Sequence, residues 1–142
     1  MQSSTVTLMT TVFSRIIAGE IPGTFVHRDD RCAAFMSINP MAHGHTLVVP
    51  IDEVDHWIDL EASLAAHLFE VAHRIGRAQQ RAFHCERVGL IIAGYEVPHT
   101  HLHVIPTTSM AELSFANAAA TADRDGLESA AVAIRNALHD LG

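Results

Sequence analysis

Three histidines at alternate positions, His99, His101 and His103, stand in the run Pro98-His-Thr-His-Leu-His-Val-Ile-Pro106. In an extended strand, residues i, i+2 and i+4 project from one face. The spacing therefore predicts three imidazoles on one surface, with Thr100, Leu102 and Val104 on the core-facing one. Such a row is costly as structure alone, because stacked imidazoles need hydrogen-bond partners or an anion. Two chemistries can use it. Three neutral imidazoles can hold zinc, or one can attack phosphorus while its neighbours donate hydrogen bonds to the phosphate oxygens. Spacing alone does not separate them.

The elements that must position this row follow from the pattern of apolar residues. Residues 12–18 read as a short amphipathic helix closed by Gly19 and the Pro22-Gly23 turn. Residues 24–28 and 32–37 read as strands around Asp29-Asp30, a hairpin signal, and residues 46–49 as a third strand. Leu64, Leu68, Val71, Ile75, Ala78 and Ala82 recur at alternating spacings of four and three, which predicts one long helix over about 59–84. Residues 90–93 read as a buried strand and 99–106 as the last strand. Asp125 and Glu128 make a capping-box pattern ahead of a C-terminal helix whose face carries Leu127, Ala131, Ile134 and Leu138. The sum is an α+β fold: an antiparallel five-stranded sheet with a long helix and a C-terminal helix. The whole chain, 1–142, reads as one domain, with a core over 11–106 and an alanine-rich loop and helix over 107–142.

Composition narrows the function. With 49% apolar and 18% charged residues over 142 positions, the chain suits an ordinary globular protein. All 9 basic residues are arginines. The absence of lysine excludes Schiff-base and P-loop chemistry, both of which need its amine. A net charge of −7 without lysine also argues against nucleic acid as a partner. Residues 1–10 are polar and lack the basic and apolar regions of a signal peptide, and no apolar run approaches a membrane span. Cys32 and Cys85, at no motif spacing, read as reduced thiols of a cytoplasmic protein.

The sequence resembles the histidine triad family, whose His-φ-His-φ-His-φ-φ signature matches His-Thr-His-Leu-His-Val-Ile. The likeness extends to Phe13-Ser-Arg-Ile-Ile-Ala-Gly-Glu-Ile-Pro22, Asp29-Asp-Arg-Cys-Ala-Ala-Phe35, Ile38-Asn-Pro40 and Gly44-His-Thr-Leu-Val-Val-Pro50. It covers about residues 11–106, in the right order. It is greatest for the small bacterial branch that hydrolyses nucleoside phosphoramidates. What the resemblance implies is a metal-independent enzyme with no cofactor, acting on purine nucleotide conjugates such as phosphoramidates, acyl-adenylates or dinucleoside polyphosphates. His101 would be the nucleophile, forming a nucleotidyl-histidine that water resolves. His103 would hydrogen-bond the α-phosphate oxygens. His99 would orient the nucleophile through its backbone carbonyl, and His45 would complete the cluster. Phe13, Ile16, Phe35 and Ile38 would wall the base and ribose pocket, with Ser37 and Asn39 among the nucleotide-contacting residues. The turn from Gly94 to Val97 would approach the phosphate. The family's usual assembly is a homodimer with a continuous sheet.

The chain departs from the pattern in places. Ser37 stands where many members carry an acidic residue on the ribose diol, and Tyr95-Glu96 where Gln and a hydroxyl residue are common. A substrate-facing Glu96 would be driven towards its neutral form and could serve as general acid. Thr107 replaces a common arginine. Some bacterial relatives hold structural zinc through Cys-x-x-Cys on the opening helix together with histidines; here that segment reads Thr11-Val-Phe-Ser14, so half the ligand set is missing. Two further readings remain beside the enzyme: a nucleotide-binding module with little turnover, and a metal-dependent hydrolase using the histidine row. His56, His67, His73, His84 and His139 read as solvated, and Trp57 as core or dimer packing. Phe115 is a candidate to reach the site.

Overall fold

The computed structural model describes residues 10–142, so the polar opening segment lies outside the described residues but for Thr10. Helix α1 (Val12–Ile17) begins where the Thr11 side chain accepts from the Ser14 amide, and it buries Phe13, Ile16 and Ile17. Strands β1 (Phe25–Arg28) and β2 (Cys32–Met36) form the expected hairpin. Its turn is held by the Asp29 carboxylate, which accepts from the amides of Arg31 (2.8 Å) and Cys32 (2.9 Å). Strand β3 (Thr46–Pro50) follows, then α2 (Ala62–Ala82), β4 (Arg87–Ile91), β5 (Leu102–Thr107) and α3 (Arg124–Leu141). The sheet is antiparallel with order β1-β2-β3-β5-β4. The α+β architecture is the one expected.

Alternation along β2 and β3 divides the core. On one face Cys32, Ala34, Val48, Leu102 and Val104 pack against Leu68 and Ile75 of α2 and Ile134 of α3. On the other, Ala33, Phe35, Leu47 and Val49 pack against Phe13, Ile16 and Ile17 of α1. Gln79 pins α2 to the sheet by donating to the carbonyls of Gly44 (3.0 Å) and Val104 (2.9 Å).

Beyond single terminal residues, four elements depart from expectation. Helix α2 is shorter than 59–84 because residues 57–59 form a separate 3-10 turn and Phe83 is already extended. Strand β4 lies at Arg87–Ile91 rather than 90–93, and it is half-exposed rather than buried, being the edge strand beside β5 alone. Strand β5 starts at Leu102, not His99. The preceding residues are held by a loop instead of a ladder: the Thr100 amide (2.7 Å) and hydroxyl (2.8 Å) both donate to the Val54 carbonyl. Helix α3 is capped by Asp123, whose carboxylate accepts from the Gly126 amide at 3.1 Å, so Asp125 sits in the first turn and makes no capping box. No helix among the described residues is long and apolar enough to cross a membrane.

Candidate active site

The triad histidines do not form a uniform surface row. Only His103 belongs to the strand ladder, paired with Leu47 and Ile91. His101 is 4% exposed and His99 is completely buried. The His99 ring lies beneath the site, edge-on to Phe13, while the His101 and His103 rings meet at 4.8 Å between centroids.

Hydrogen bonds set the tautomer of each imidazole. His99 Nε2–H donates to the Pro50 carbonyl (2.7 Å), so its Nδ1 accepts from the Thr11 hydroxyl (2.7 Å). His101 Nδ1–H donates to the His99 carbonyl (2.7 Å), which leaves Nε2 as the free nitrogen of a cavity-lining ring. His45 Nδ1 accepts from the Met41 amide (3.0 Å), so its Nε2–H donates to His103 Nδ1 (3.0 Å). His103 is left with Nε2–H as a donor. One ring therefore offers a lone pair and its neighbour a proton, the complementary set that attack on phosphorus requires.

Burial keeps the cluster neutral. Burial first, and then repulsion from a charge on His101, lower the pKa of His103 to about 3 and of His45 to about 4, with His45 adding to the effect on His103. His101 is lowered by burial as well, against the opposing pull of the His99 carbonyl and the Glu96 charge. In His99 burial again outweighs the Pro50 carbonyl and the Glu53 charge. The three-imidazole zinc set does not assemble among the described residues, because both His99 nitrogens are taken, by the Pro50 carbonyl and the Thr11 hydroxyl, which leaves only His101 and His103 with an Nε2 to offer. The helix α1 zinc set of relatives fits no better. Thr11 is a hydroxyl bonded to His99 Nδ1, and Glu53 accepts from the Thr11 amide at 2.8 Å.

Two adjoining cavities of about 180 and 230 Å³ share Glu96, His101, His103 and Phe115. The first is also lined by Phe13, Ile16, Phe35, Ser37, Ile38, Asn39, His45 and Val97, all expected there, and the second by Gly94. Neither is lined by a cationic side chain. The Asn39 amide turns outward and donates to the Ala119 (3.2 Å) and Ala120 (2.7 Å) carbonyls, which pins the alanine-rich segment over the cavity. That segment brings Phe115 edge-on to His103 at 5.1 Å within the same chain. Sequence reasoning missed Thr11, Met41 and Pro50, whose signals are backbone groups and a helix cap rather than a motif. Trp57 is 48% exposed and packs into no core; it borders an outer cleft with Tyr95, Thr100 and His101.

A sequence profile of the HIT domain matches residues 18–110. The chain belongs to the histidine triad family. Among histidine triad relatives, "Protein hit" of Bacillus subtilis is 35% identical over 102 residues, 67% of this chain and 69% of that one. An adenylylsulfatase of Arabidopsis thaliana is 31% identical over 100 residues, 67% of this chain and 51% of that one. A zinc-bound histidine triad family protein from Mycobacterium smegmatis superposes with a TM-score of 0.80 at 29% identity, covering 94% of this chain and 96% of that one. Histidine triad membership supports hydrolase or transferase action on nucleotides in general.

Proposed function

We propose that the chain is a nucleotidyl hydrolase or transferase. It would cleave the α-phosphate bond of purine nucleotide conjugates (phosphoramidates, acyl-adenylates or dinucleoside polyphosphates) through a nucleotidyl-His101 intermediate. The observation that carries this reading is the His101 ring, buried in the cavity wall with Nδ1–H tied to the His99 carbonyl and Nε2 left free. The Nε2 lone pair attacks phosphorus, and the bond to the leaving group breaks with its electron pair. The positive charge that develops on the ring is met by the His99 carbonyl. His103 Nε2–H donates to a non-bridging oxygen, and Glu96 hands its proton to the departing atom. Water then attacks the phosphorus, its proton returning to the Glu96 carboxylate, and Nε2 leaves with its electron pair. His99, which lines neither cavity, is a positioning residue.

The apolar slot between Phe13, Ile16, Phe35 and Ile38 suits a flat purine base, with Ser37 beside the ribose. A cytoplasmic homodimer is part of the same reading. The β4 edge is unpaired among the described residues, and Phe69 and Leu90 are exposed near it, a surface a second copy would cover. Incubation with a panel of adenosine and guanosine 5′-conjugates tests the chemistry by intact mass. A nucleotidyl adduct is expected on wild type, and none on His101→Ala, whose turnover is abolished. Wild-type kcat in that variant overturns the covalent route. Nucleotide binding with neither adduct nor turnover returns the chain to the binding-module reading.

A further inference from the structure

On the helix-packed face of the sheet, away from the triad, four metal-ligating side chains meet. Asp29 Oδ2 lies 2.6 Å from His27 Nε2, 2.9 Å from His67 Nε2 and 3.6 Å from Cys32 Sγ. His27 comes from β1, Asp29 from the hairpin turn, Cys32 from β2 and His67 from α2. Ligand atoms of His27, Asp29 and Cys32 all fall within 4.8 Å of one another. As it stands, three hydrogens point at one carboxylate oxygen. Three donors from three different elements converge on one oxygen of a partly exposed carboxylate, an arrangement a single cation would replace.

We propose that His27, Asp29, Cys32 and His67 form a binding site for one divalent transition-metal ion of the zinc class. The donor set is one thiolate, two imidazoles and one carboxylate, the mixed set that suits zinc in tetrahedral geometry. Ligand atoms about 2.0–2.3 Å from a tetrahedral ion lie roughly 3.3–3.7 Å apart. Those of His27, Asp29 and Cys32 are already within 4.8 Å of one another, while His67 reaches only Asp29 and would have to rotate its ring inward to complete the set. The outer contacts favour this role. Asp29 Oδ1 is fixed by the Arg31 and Cys32 amides, so Oδ2, which faces the other three side chains, is the ligand atom. His67 Nδ1 lies 3.9 Å from Glu70 Oε1, a carboxylate able to take the ring hydrogen once Nε2 binds metal. On binding, the Cys32 thiol releases its proton to solvent, and each imidazole presents an Nε2 lone pair with its hydrogen on Nδ1. The ion would clasp the β1–β2 hairpin to α2. Sequence spacing conceals the site, because His67 lies 38 residues beyond Asp29.

The test is titration of the full-length chain, dialysed against chelator, with Co²⁺ and then Zn²⁺. One equivalent of Co²⁺ is expected to give a thiolate-to-cobalt charge-transfer band and tetrahedral d–d absorption, both bleached by one equivalent of Zn²⁺. Cys32→Ser should lose the charge-transfer band, and His67→Gln, on the half-exposed helix face, should raise Kd by about tenfold or more. His103→Ala should leave both bands in place. Absence of the band in wild type, or its persistence in Cys32→Ser, overturns the proposal. So does equal affinity in wild type and His67→Gln, or loss of the bands in His103→Ala.

Discussion

The Thr11 hydroxyl meets Nδ1 of His99 at 2.7 Å, joining the N-cap of helix α1 to the imidazole whose carbonyl holds His101. Thr11 thus links helix initiation to the orientation of the candidate nucleophile. In Thr11→Ala the Ser14 amide loses its cap, at a cost of about 0.5–2 kcal/mol. The buried Nδ1 loses its donor, adding roughly 1–3 kcal/mol. Thr11→Ser keeps both bonds and should stay near wild type in urea denaturation. A fall in kcat for Thr11→Ala with KM unchanged would place the effect on His101 rather than on nucleotide binding. Equal stability of the Ala and Ser variants would show that the contact carries no weight.

The neutral cluster makes stability depend on pH. His45 and His103 have folded pKa values near 4 and 3 against an ordinary 6.5, so below about 6.5 the unfolded chain binds protons that the folded chain refuses. Their contribution is fully present above that pH and is lost as pH falls towards the folded values. Each group costs about 1.4 kcal/mol per pH unit in this window. Urea midpoints at pH 7.5, 6 and 5 should fall progressively, and His45→Gln should flatten the trend. A midpoint independent of pH across that range would contradict the cluster's neutrality.

Assembly is checked by light scattering. Wild type should have the mass of two chains. Phe69→Asp, at a position 58% exposed in the single chain, should have the mass of one with unchanged circular dichroism. A wild-type monomer at micromolar concentration would count against the dimer.

Glu96 borders both cavities, and its charge supports the protonated form of His101. If it is the general acid, kcat for a phosphoramidate shows an alkaline limb, falling as pH rises. Glu96→Gln should lose that alkaline limb and about 10²-fold in rate. His101 must be neutral to attack, so removing the carboxylate also lowers its pKa and moves the acid limb to lower pH. Superimposable profiles for wild type, Glu96→Gln and Glu96→Ser would make the residue a bystander.

Much of this was legible in local pattern. The four-and-three spacing from Leu64 to Ala82 encodes α2 because a helix repeats every 3.6 residues, and alternation marks β2 and β3 because a strand repeats every two. The triad and the pocket residues from Phe13 to Asn39 were legible as a motif in fixed order. Local pattern could not say that the chain from His99 to His101 is held by Val54 rather than by a ladder. It read His67 as solvated, whereas the helix turns that ring onto Asp29. The other four histidines of that set, His56, His73, His84 and His139, are exposed as expected. Periodicity reports which face of an element is apolar, a property of neighbours in the chain. The tautomers of His99 and His103 and the contact of His67 with Asp29 are decided by partners 88, 58 and 38 residues away, and those meet only when helix and sheet dock.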